Sequence, residues 1–130
     1  MAKTIYGPCM NGNVDFEMNE LILHGIGNGM VGFNAYAHVV FTAPADLTCS
    51  VTATFIGRQV DINVDVHVLL KGNPVFNSTI TEDGVVREYL NPAVSLDAGD
   101  TVSFAVGPHQ QFGLHPGNTA LEAVLDCYPD

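Results

Sequence analysis

The sequence predicts an all-β protein, an antiparallel β-sandwich of eight to nine strands closed as a jelly roll. Three observations predict it. Apolar residues recur at every second position along several stretches, turn residues break the chain about every ten residues, and no stretch shows the spacing of an amphipathic helix. Period two is what a strand shows when one face is buried and the other meets water. With this many strands, a jelly roll is the natural way to close the two sheets.

The elements follow in chain order. Residues 4–6 and 15–23 are weaker strand candidates. Val31, Phe33, Ala35, Ala37, Val39 and Phe41 alternate with Gly32, Asn34, Tyr36, His38 and Val40. Cys49, Val51, Ala53 and Phe55 alternate with Ser50, Thr52 and Thr54. The longest alternation runs over residues 60–70, where Val60, Ile62, Val64, Val66, Val68 and Leu70 take one face. Residues 75–80 and 86–96 are again weaker. Val102, Phe104 and Val106 follow the Ala98-Gly99-Asp100 turn, and Leu121, Ala123, Leu125 and Cys127 close the chain. Further turn signals are Asn11-Gly12-Asn13, Pro44-Ala45-Asp46, Gly72-Asn73-Pro74, Glu82-Asp83-Gly84 and Asn91-Pro92. Residues 15–130 read as one domain, preceded by an N-terminal arm at 1–14.

Composition narrows the function classes. The chain has 130 residues, 47% of them hydrophobic and 14% charged. A domain of this size buries roughly two-thirds of its unfolded surface, so a core can form, and this composition excludes a disordered chain. The formal net charge is −10, with Lys3, Arg58, Lys71 and Arg87 as the only cations, scattered along the sequence. Nucleic acid and anionic lipid both demand clustered bases, so neither is expected as a partner. No apolar run is long enough for a membrane helix, and the start lacks the apolar stretch of a secretion signal. Either a signal has been removed and a start Met supplied, or the protein is made and folded in the cytosol, and the second is expected. Cys9, Cys49 and Cys127 leave at least one thiol unpaired. The expectation is three small, mostly buried thiols, with a Cys9–Cys127 bridge as the alternative because domain termini are often neighbours.

Three stretches carry a resemblance. Residues 41–46 (Phe-Thr-Ala-Pro-Ala-Asp), 65–76 and 94–104 with their Asp97-Ala98-Gly99-Asp100 turn follow one another in a recurrent order. This order resembles the jelly rolls of the tumour-necrosis-factor and complement globular-head superfamily, and bacterial or phage surface sandwich modules of the same shape. The resemblance implies a non-enzymatic, often trimeric surface module that recognises proteins or glycans.

Candidate chemistry is sparse. Gly27-Asn28-Gly29-Met30-Val31-Gly32 matches a dinucleotide fingerprint as text, but strand-like alternation follows it where a helix is required, so it is rejected. Asp61, Asn63, Asp65 and His67 fall on the wet face of the 60–70 alternation. They are weak candidates for a metal such as calcium, since one strand cannot wrap an ion alone; a solvated face is the plainer reading, and no cofactor is expected. The loop at 107–118 is long for a sandwich connection, and its His109, Phe112, Leu114 and His115 are candidate contacts. Tyr36, Val40 and Val124, apolar or aromatic on wet faces, are candidate subunit contacts. No nucleophile elbow is present, so no enzyme is expected.

Two functions are weighed. The first is an oligomeric bacteriophage capsid decoration or cement protein, a homotrimer bound to the major capsid protein or another surface protein and displayed on the virion. The alternative is a carbohydrate-binding sandwich module of a secreted or cell-surface bacterial protein, located outside the cell.

Overall fold

The computed structural model describes the backbone of residues 3–8, 14–23, 26–28, 33–35, 37–108 and 118–130, and side chains over 37–107 and 118–130. Its strands are β1 (Lys3–Pro8), β2 (Val14–Leu23), β3 (Ile26–Asn28), β4 (Phe33–Ala35), β5 (Ala37–Thr42), β6 (Leu47–Gly57), β7 (Val64–Leu70), β8 (Asn73–Ile80), β9 (Val86–Leu96), β10 (Thr101–Pro108) and β11 (Thr119–Pro129).

Five strands form one antiparallel sheet in the order β1-β2-β11-β6-β9, and four form the other in the order β5-β10-β7-β8. The pairing has a simple logic. Setting aside β1 and the short β3–β4 hairpin, the first strand pairs with the last, β2 with β11; then β5 pairs with β10, β6 with β9, and β7 with β8. A chain folded as one long hairpin and then wrapped into two layers gives this order, which is the jelly roll. The expected fold class is therefore the observed one. Of the residues expected as an arm, Lys3–Pro8 lie in the larger sheet, paired with β2.

The core sits between the sheets and is built by alternation. β6 turns Leu47, Cys49, Val51, Ala53 and Phe55 inward, with Thr48, Ser50, Thr52 and Thr54 between them. Val64, Val66 and Val68 from β7, Val102, Phe104 and Val106 from β10, and Leu121, Ala123 and Leu125 from β11 meet them. Burying each valine, leucine or phenylalanine among them contributes about 1.5–3 kcal/mol relative to leaving it exposed. Where β8 and β9 bring the two sheets' edges together, the Phe76 and Tyr89 rings stand 5.7 Å apart. The Arg87 guanidinium adds a tie there, its Nε donating to the Thr79 carbonyl at 3.2 Å.

Edges are guarded by proline, which cannot donate to an incoming strand. Pro8 lies in edge strand β1, Pro74 in edge strand β8 and Pro92 in edge strand β9. The Asn91-Pro92 signal, read from sequence as a turn, is instead a bulge within β9. Register passes from Cys49↔Val94 to Val51↔Asn91, so β9 carries one extra residue. The Asn91 side chain accepts the Ala93 N–H at 3.2 Å there.

The 60–70 alternation is corrected. Only Val64–Leu70 is strand; Val60 is 79% exposed, and Ile62 turns back, its N–H reaching the Gln59 carbonyl at 3.3 Å. Period two persists in sequence because Ile62 plugs the end of the core, not because the strand extends to it.

The cysteine expectation is corrected too. Cys49 and Cys127 are joined in a disulfide across 78 residues, both buried. They are opposite one another in the β6–β11 ladder, so the pairing follows from strand register, which neither terminal proximity nor composition reveals. Cys9 lies outside the described residues.

Candidate functional site

The outer face of the smaller sheet carries the candidate site. Alternation sends Val102, Phe104 and Val106 of β10 into the core, so Ser103, Ala105 and Gly107 face outward. These are small side chains, and their neighbours on either side are larger. Strand register lines the outward residues into rows across the sheet. One row runs His38, Ala105, His67, Asn77, and the next runs Val40, Ser103, Leu69, Pro74. The short β10 side chains form a floor between taller walls.

The result is a depression of about 540 Å³ lined by His38, His67, Leu69, Pro74, Asn77, Ser103 and Ala105. Small-molecule sites of natural proteins fall in the range of roughly 300–1,000 Å³. His38 and His67 flank Ala105 two strand spacings apart, about 10 Å between their Cα atoms. Ala105 is only 7% exposed although it lies on the outer face, because these walls overhang it.

One hydrogen bond sets the chemistry of the floor. His67 Nδ1 lies 2.6 Å from the Asn77 side-chain oxygen. An amide oxygen only accepts, so Nδ1 carries the proton and the ring is held in one orientation. The same bond occupies the Asn77 oxygen and leaves its NH2 group available as a donor. Leu69, Pro74 and Ala105 supply an apolar surface beside these polar groups. A lining of imidazole, amide and hydroxyl next to aliphatic carbon suits a ligand that is itself uncharged and two-sided.

The sequence-derived candidates are partly gathered here. His67 lies in the depression, and Asp65 is one row away, opposite Gly107 and Thr79. Asp61 and Asn63 precede β7, so only Asp65 and His67 of the expected row of four lie in the strand. Among the described residues no group of three or more His, Cys, Asp or Glu could hold a metal ion. Val40 is 46% exposed and sits at the rim, opposite Ser103. Val124 is 42% exposed but belongs to the outer face of the other sheet, opposite Thr52. Tyr36, His109, Phe112, Leu114 and His115 lie outside the residues whose side chains are described.

His38, Leu69, Pro74, Asn77, Ser103 and Ala105 went unmarked in the sequence. Each outward position on these strands was legible from alternation. What was missing is the order β5-β10-β7-β8, which sets four separate stretches side by side.

No protein-family model matches the chain, and no curated protein does either. Solved structures that resemble it include a family 35 carbohydrate binding module from Clostridium thermocellum, at 13% identity and TM-score 0.42, covering 100% of this chain and 99% of that one. Another is the CBM51 of Clostridium perfringens GH95 in complex with methyl-galactose, at 16% identity and TM-score 0.47, covering 96% and 92%. A third is the Podospora anserina GH26-CBM35 β-(1,4)-mannanase, at 11% identity and TM-score 0.43; the match covers 99% of this chain and 25% of that one. This chain thus spans a quarter of the mannanase it resembles. A specific likeness to tumour-necrosis-factor or complement heads is not among these findings, and the jelly roll itself rests on the observed strand order.

Proposed function

We propose that this protein is a non-catalytic carbohydrate-binding module that works outside the reducing cytosol. The observation that carries the reading is the depression on the outer face of β5-β10-β7-β8. Among the described residues its lining offers the His38 imidazole, the Asn77 amide and the Ser103 hydroxyl beside the aliphatic carbons of Leu69, Pro74 and Ala105, which matches a sugar with hydroxyls at its rim and C–H groups on its ring faces. Hydrolysis of a glycosidic bond needs a pair of carboxyl groups about the scissile bond. Among the described residues the lining contains no carboxylate, which favours binding over cleavage.

The Cys49–Cys127 bridge supports the location. Disulfides form and persist in oxidising surroundings and are rare in reducing ones. The bridge therefore weighs toward the extracellular alternative and against folding in the cytosol.

The capsid-decoration reading, with its homotrimer and capsid partner, has no comparable support. Its described candidates Val40 and Val124 lie on the outer faces of opposite sheets.

The test is a glycan array probed with the intact chain, repeated with Ala105→Leu, which fills the floor without touching the core. Binding to glycans that the variant loses is the expected result. A blank array would defeat the reading, as would binding that Ala105→Leu leaves intact.

A further inference from the structure

We infer that the depression takes a linear oligosaccharide of at least two linked units, laid across the strands from β5 to β8. This inference rests on the carbohydrate reading and names the size and course of the ligand. The polar groups of the lining are spread out instead of gathered at one point. His38 stands on β5 and Asn77 on β8, the two edge strands of the smaller sheet. Register puts both in one row, with His38 opposite Ala105, Ala105 opposite His67, and His67 opposite Asn77. Three strand spacings separate the ends of that row, about 14 Å between Cα atoms. A pyranose is much shorter than this from O1 to O4, so one ring reaches one end only. The Ser103 hydroxyl belongs to the adjoining row, on the strand between them.

Exposure along the row gives the depression its shape. His38 and Asn77 are exposed, His67 is half-buried, and Ala105 is buried. The low point is therefore inside the sheet, with a polar side chain standing at each edge. Volume agrees with length. A cavity of about 150 Å³ accepts benzene, a ring of six carbon atoms. The depression, at about 540 Å³, is more than three times that size, whereas a hexose has only twice as many heavy atoms as benzene. The aliphatic lining follows the same course. Ser103 pairs with Leu69 and Leu69 with Pro74, so Ala105, Leu69 and Pro74 carry apolar surface from mid-sheet to the β8 edge. The C–H faces of successive units can rest there while their hydroxyls meet His38, Ser103 and the Asn77 NH2. A linked chain meets both edges at once, so its second contact is intramolecular and is favoured by effective concentration.

The experiment is an NMR titration of the intact chain with glucose, mannose and galactose and with their linear β-(1,4)-linked dimers, trimers and tetramers. In at least one series the trimer is expected to bind about tenfold or more tightly than the monosaccharide. It should shift the backbone amides of both His38 and Asn77. His38→Ala and Asn77→Ala should each remove most of the trimer's advantage, because each leaves one edge without its polar contact. If affinity is flat along every series that binds, if the trimer shifts one edge only, or if both variants keep the full advantage, the spanning ligand is overturned while the carbohydrate reading stands. If no sugar of any series binds, both fall together.

Discussion

Cys49 and Cys127 face one another across the β6–β11 ladder, with Cα atoms 4.0 Å apart and sulfurs joined. The bond ties the strand that leaves the Ala43–Asp46 turn to the strand that ends the chain. Crosslinking residues this far apart in sequence removes loop entropy from the unfolded state worth about 4 kcal/mol. Reduction, or Cys49→Ala with Cys127→Ala, should lower stability by about 3–4 kcal/mol in urea unfolding. Thiol counting should find one reactive cysteine in the denatured, unreduced chain and three after reduction. A peptide map that links Cys9 to either partner would refute the assignment.

Gly57 cannot become alanine without displacement. A Cβ there would lie 2.9 Å from the Glu82 carbonyl oxygen and 2.9 Å from the Ile80 Cγ2. The Gly57 carbonyl also accepts the Gly84 N–H at 2.9 Å, so the backbone on both sides is fixed. Gly57→Ala should destabilise by about 1–3 kcal/mol, the usual penalty for overpacking. Thermal unfolding is the check, and an unchanged midpoint would contradict the close approach.

The turn between β7 and β8 offers the opposite sign. Lys71 and Gly72 both have positive φ, 55° and 81°, as a two-residue hairpin of the primed type requires. Lysine pays for this conformation with its Cβ, by about 1 kcal/mol, whereas asparagine tolerates it. Lys71→Asn should therefore stabilise by about 0.5 kcal/mol. The Lys71–Asp100 pair is half exposed and contributes little to offset this. A fall in the urea midpoint would show that the pair matters more than the backbone.

Thr119 is fully buried, and among the described residues its Oγ1 has no hydrogen-bond partner. Valine has the same shape without the hydroxyl. Thr119→Val should raise stability by about 1 kcal/mol, since a buried hydroxyl left unpaired costs at least that much. Destabilisation would mean that the hydroxyl is satisfied in solution.

Val40→Ser and Val124→Ser probe the two outer faces separately. Each removes an exposed valine, so each should change stability by less than about 0.5 kcal/mol. Sedimentation of both variants beside the parent chain tests the subunit-contact expectation directly. A shift in mass with either variant would revive an assembly role for that face.

The reach of the sequence can be judged on particular residues. Period two along residues 49–55, 102–106 and 121–127 fixed which side chains are buried, because a pleated strand leaves no other choice once one face must avoid water. Turn residues such as Gly99, with φ 92°, marked where the strands stop. The same rule misled at Val60, where alternation continued past the end of the ladder. Tertiary structure alone decided which strands became neighbours. That choice brought Cys49 to Cys127, although Cys9 was equally available in composition. It also set His38, Ala105, His67 and Asn77 in one row from four separate strands. Hydrophobic patterning is a local property of the chain, whereas strand order depends on how two sheets share one core, and the site is made by that order.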